Sequence, residues 1–136
     1  MHRCWVSNKR KWRNLQIKKY LTPIVFGLIG QLGCWGLMMG GQAITTLDNA
    51  LIIHAAGAPV LFGIFSYIYF KRFNLTTPIQ TALIFVGVVI CMDIFVVAMM
   101  INHSFDMFYG LIGTWIPFTL IFSSTYLVGR WITNSG

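Results

Sequence analysis

Asp93 and His54 are ionisable side chains set inside long apolar runs, where water cannot solvate a charge. Asp93 lies within IQTALIFVGVVICMDIFVVAMMI (79–101), which holds no other acid or base. A carboxylate in such a run is costly to insert and is retained for a partner or a task. The task open to it is binding a small cation or relaying a proton. His54, in a second apolar run, can hydrogen-bond or ion-pair with it. Thr114 and Trp115, in a further run, fall near the same level. Asp93, His54, Thr114 and Trp115 are therefore the candidate polar pocket. The plainer alternative is that Asp93 hydrogen-bonds one of these neighbours and only locks helices together.

A second pattern uses soft ligands. Met99, His103 and Met107 are spaced four apart, so a continued helix would align them on one face. Thioether and imidazole together suit Cu(I), which makes a copper site an alternative. Methionine is also ordinary membrane packing, so no metal or other cofactor is expected by preference. Cys4, Cys34 and Cys91 form no C-x-x-C pair. Neither a Gly-rich phosphate loop, a nucleophile elbow nor H-E-x-x-H occurs, so no enzyme activity is expected.

These residues need long apolar elements to hold them, and the composition supplies them. The 136 residues are 57% hydrophobic and only 10% charged, against about 25% charged in a soluble domain. About 20 apolar residues at 1.5 Å each cross a bilayer core as a helix. Spans of that length are expected at about 21–43, 50–70, 79–101 and 107–128. The expected fold is an all-α integral membrane protein, with four transmembrane helices packed as two antiparallel hairpins in a compact bundle. Residues 1–20 form a basic segment ahead of it, 21–130 the membrane domain, and 131–136 a short tail. Thr22-Pro23 and Thr77-Pro78 both read as helix starts, with Thr as N-cap and Pro at the first helical position. Asp48 or Asn49 is the expected cap of the second span. Pro59 and Pro117 are expected kinks, the latter near the middle of the fourth span.

The net charge of +7 does not indicate nucleic acid, because the basic residues flank the spans instead of sharing one folded face. Seven of the ten Lys and Arg precede Tyr20, and the others are Lys71, Arg72 and Arg130. The positive-inside rule then places both termini in the cytoplasm of a cell (inner or plasma) membrane protein, with Asp48 and Asp106 outside. On that topology Asp93 lies about 12 Å and His54 about 6 Å from the outer ends of their spans. Gly27, Gly30, Gly33, Gly36 and Gly40 give the first span a smooth face for close helix contact, within the bundle or between protomers. Pro59, Ser66 and Arg72 recur as Pro117, Ser124 and Arg130, and Thr22-Pro23 as Thr77-Pro78, a pattern compatible with a duplicated hairpin.

The expected function is transport, or transport-accessory work, on a small cation or polar solute through the pocket around Asp93. Four spans are few for a complete path, so a homodimer or a place in a larger membrane complex is expected, with the lipid bilayer as the other partner. The rival from another class is a structural or assembly subunit without transport activity.

Overall fold

The structure, a computed structural model, describes residues 2–101 and 109–136. The described residues are almost wholly helical and contain no strand. Helix α1 spans His2–Ile44, α2 spans Leu47–Arg72, α3 spans Pro78–Met92 and α4 spans Ile116–Ser135. Asp93–Ile101 continues α3 as a π-helix, and Leu111–Trp115 leads into α4 as a second π-helical stretch. Among the described residues three helices are long and apolar enough to cross a membrane: Lys9–Ile44, Leu47–Arg72 and Pro78–Val96.

The first helix corrects one expectation. Thr22-Pro23 does not start it; α1 runs unbroken for 43 residues with Pro23 inside. Proline removes one backbone donor but does not end the helix, and the Thr22 hydroxyl bonds the Lys18 carbonyl at 2.8 Å. The basic segment and first span are thus one rod of roughly 60 Å, twice a bilayer core. Thr77-Pro78 behaves as read. Thr77 Oγ1 accepts from the Gln80 N–H and the Gln80 side chain accepts from the Thr77 N–H, a complete capping box. Identical dipeptides therefore take different roles, which removes one of the matches behind a duplicated hairpin.

Two other local expectations change. Thr46, not Asp48 or Asn49, is the N-cap of α2, and Asp48 sits in the first turn, where the helix dipole favours an acid. Pro117 stands at the start of α4, just after the π-helical stretch, instead of mid-span. Its missing N–H falls at the change from π to α register, inside a helix that runs on from Leu111.

Helix α1 packs mainly on α2 and α3, and α4 packs mainly on the same two. That leaves α1 opposite α4 and α2 opposite α3 around a shared axis. Phe62 of α2 and Phe85 of α3 meet across it edge to face, ring centres 5.5 Å apart. Cys34, Ala58, Val89, Phe118 and Ile121 complete the buried core. Large apolar side chains point outward instead, including Ile29, Leu32, Ile52, Val60, Ile64 and Leu83. An apolar exterior over small and aromatic interior groups suits a lipid solvent. Gly33 faces Leu61, Gly57 faces Leu37 and Gly41 faces Ala50, so α1 and α2 run antiparallel in close contact.

One end of the bundle is basic. Lys71 Nζ donates to Tyr67 Oη at 3.0 Å, Arg130 Nη1 donates to Tyr126 Oη at 3.1 Å, and Lys19 lies over the Tyr20 ring. At this end Asn74 takes a left-handed φ of 40° and closes α2, its N–H bonding the Tyr69 carbonyl at 3.2 Å. Asparagine and glycine tolerate this conformation, whereas a β-branched residue is strained. Asn74→Gly is expected to unfold within about 0.5 kcal/mol of wild type and Asn74→Val to lose about 1–2 kcal/mol, measured by denaturant unfolding in detergent micelles.

Candidate functional site

Asp93 stands where α3 gives way to the π-helical stretch. The change of hydrogen-bond register from that residue onward re-aims the side chains that follow. Such stretches are rare and concentrate at functional positions. A second one ends at Trp115, so two of the candidate residues lie at helix-register changes.

The carboxylate is half-buried, and Gln31 of α1 donates to it from Nε2 to Oδ1 at 2.8 Å. Gln31 is only 2% exposed, and its own Oε1 has no protein partner. His54 does not take the place expected of it beside the acid. Its imidazole interacts with the main chain of Cys34, while Nδ1 is buried and without a partner. Trp35 adds a buried indole N–H that is also unpartnered.

Gln31, Cys34 and Trp35 are spaced three and four apart and share one face of α1. That face joins Asp93 on α3 to His54 on α2. Asp93 and His54 are thus linked through a turn of the first span. Thr114 is buried and Trp115 is 54% exposed, its ring edge-on to Phe118 with centres 6.4 Å apart. The result is a carboxylate and a free amide oxygen as acceptors, with an imidazole and an indole donor within the same helix layers. Such a set can hold a small cation or hydrogen-bonding solute, or take up and release a proton.

Gln31 and Trp35 were not singled out from the sequence, since neither carries charge. The readable signal was position. Gln31 is an amide near the middle of the first span, and Trp35 stands well away from the interfacial depth where tryptophan usually rests.

The glycine face divides. A Cβ at Gly27 would meet Val88 and at Gly30 would meet Phe62, so these two lie within the bundle, as does Gly33. Gly36 and Gly40 have nothing within 4 Å. Of the copper alternative, Met99 is exposed, and His103 and Met107 lie outside the described residues. Among the described residues no three His, Cys, Asp or Glu side chains converge to hold a metal.

No protein-family model matches this chain, and neither does any characterised protein or solved structure with which it was compared.

Proposed function

We propose that the chain is a four-span protein of the cell membrane, both termini cytoplasmic, that serves transport of a small cation or polar solute through the site around Asp93. The observation that carries this reading is the Asp93–Gln31 pair, a carboxylate whose buried amide partner keeps a free oxygen beside it. An unsatisfied buried acceptor costs about 1–3 kcal/mol, a cost relieved when a cation or donor solute occupies the site. The orientation is supported by the basic end, where Lys19, Lys71 and Arg130 gather on tyrosines as residues do at a cytoplasmic interface. The fourth span is α4 with the π-helical stretch before it, antiparallel to α3. A homodimer or larger complex completes the path, with the open glycines Gly36 and Gly40 as its contact surface.

The same 2.8 Å bond favours a second reading, a packing lock in a non-transporting assembly subunit. Asp93→Asn separates them, because asparagine keeps the shape and hydrogen-bonding capacity but not the charge. The measurement is uptake of protons, ²²Na⁺, ⁸⁶Rb⁺ and methylammonium by liposomes holding purified protein. Transport predicts that Asp93→Asn lowers one of these fluxes about tenfold or more, a barrier rise of at least ~1.4 kcal/mol, with the fold retained. Unchanged fluxes accompanied by a lower unfolding midpoint would leave the packing lock as the answer.

A further inference from the structure

The half of the bundle toward the basic end carries no described intramembrane charge, yet its interior is not dry chemistry. Ser66, Thr81 and Thr125, from three different helices, are each fully buried. They share one layer. The Cβ position of Gly129 meets Phe70 and Pro78, which sets those three residues level, and Thr125, Ser66 and Thr81 each lie about one helical turn further in. Thr81 Oγ1 bonds Thr76 Oγ1 at 2.7 Å, and Thr76 in turn bonds Tyr69 Oη at 2.8 Å. Ser66 bonds the Phe62 carbonyl at 2.7 Å. Thr125 is the exception, because Oγ1 is buried with no protein partner. A helical threonine ordinarily bonds the carbonyl four residues back, but that of Ile121 already accepts from Ser124. Between this layer and Asp93 stand Phe62, Phe85 and Ile121, all apolar and buried.

Building on the transport reading, we propose that Ser66, Thr81 and Thr125 form a second, inner site that holds proton-carrying water, with Phe62–Phe85 as the dry barrier between it and Asp93. The ligand class follows from the lining. The Ser66 and Thr81 hydroxyls, which donate to the Phe62 and Thr77 carbonyls, keep lone pairs that accept from water. The Thr125 hydroxyl is free both to donate and to accept. A desolvated metal cation would instead want several oxygen ligands and compensating charge. A water on Thr125 satisfies the orphan hydroxyl and finds further polar partners in the same layer. Each transfer breaks one O–H bond and forms another. Hydronium protonates the Asp93 carboxylate and leaves as water; once the barrier opens, the acid passes that proton along a file of water to the hydroxyl layer, about 18 Å further along the axis. At rest the barrier blocks the second step. Phe62 lies directly on Gly30, with ring carbons 2.9 Å from where a Cβ would stand, so the ring's position depends on that glycine.

The test is proton entry into liposomes containing the full chain and trapped pyranine, driven by a potassium-diffusion potential. Phe62→Ala is expected to speed acidification about tenfold over wild type. Adding Thr125→Val or Asp93→Asn to it is expected to restore the slow rate. A folded Phe62→Ala variant no faster than wild type overturns the proposal, as does a leak indifferent to Thr125→Val. Thr125→Val alone gives an independent reading should Phe62→Ala not fold. Valine in a dry pocket removes an orphan hydroxyl and raises the unfolding midpoint, which refutes bound water; a lowered midpoint supports it. Asp93-dependent flux of Na⁺ or Rb⁺ with unaltered proton rates would end this proposal and leave the transport reading standing. Fluxes unaffected by Asp93→Asn would end both.

Discussion

Gln31→Leu is expected to lower the stability of the folded protein by about 1–3 kcal/mol, the loss of a donor to a buried carboxylate less the relief of removing the orphan Oε1. The substitution keeps the volume and the apolar surround of a residue that is 2% exposed, and it removes the donor found on Asp93. Leucine offers no donor in its place, so the carboxylate loses the hydrogen bond that Gln31 supplied. The magnitude also decides a question of charge. Neutral interhelical hydrogen bonds in membranes average only about 0.6 kcal/mol and reach about 1.7, because the separated helices find other partners. A loss well above that range identifies the acceptor as an ionised carboxylate. The double substitution Gln31→Leu with Asp93→Leu removes both partners together, and its cost is expected to fall below that of Gln31→Leu alone. Unfolding of purified protein in bicelles supplies all three values. A Gln31→Leu variant as stable as wild type would show that the amide contributes nothing to holding Asp93.

The apolar runs made the helices legible, since the length needed to cross a bilayer leaves little freedom in reading them. Asp93 was legible for a related reason: a lone acid is conspicuous where charge is expensive. Its partner was not. An amide such as Gln31 costs less to insert than a charge and leaves no mark on a charge map, so the natural guess was the other ionisable group, His54. Which side chains meet depends on which faces of α1 and α3 turn toward each other, and the apolar pattern of a lipid-facing helix fixes that rotation poorly. When outside and inside are both apolar, small residues and hydroxyls report the buried face better than hydrophobicity does. Read that way, Ser66, Thr81 and Thr125 were available as interior markers. The change to π-helix at Asp93 had no local signal, because neither glycine nor proline marks it.

Gly129→Ala is expected to destabilise the bundle by about 1–3 kcal/mol, although alanine is the better helix former. Its Cβ would stand 2.5 Å from Phe70 Cε2 and 3.0 Å from Pro78 Cβ, both inside contact distance. Neither neighbour can yield cheaply. Phe70 is 3% exposed and packs edge-on against Tyr69, whose ring is flanked by Phe26 and Phe73 and whose hydroxyl is tied to Thr76. Pro78 is fixed by the capping box that starts α3. The methyl must therefore push α4 away from the α2–α3 connection. Gly57→Ala, by contrast, meets only the end of the Leu37 side chain, and Gly63→Ala meets nothing within 4 Å, so both are expected to cost less than about 1 kcal/mol. Because the Gly129 contact lies at the basic end, far along α3 from Asp93, the loss of stability is expected without loss of Asp93-dependent flux in the fraction that remains folded. Parallel unfolding and liposome measurements on the three glycine variants check this. If Gly129→Ala is as stable as Gly63→Ala, the tight α2–α3–α4 junction that levels Ser66, Thr81 and Thr125 is wrong, and the inner layer loses its geometric basis.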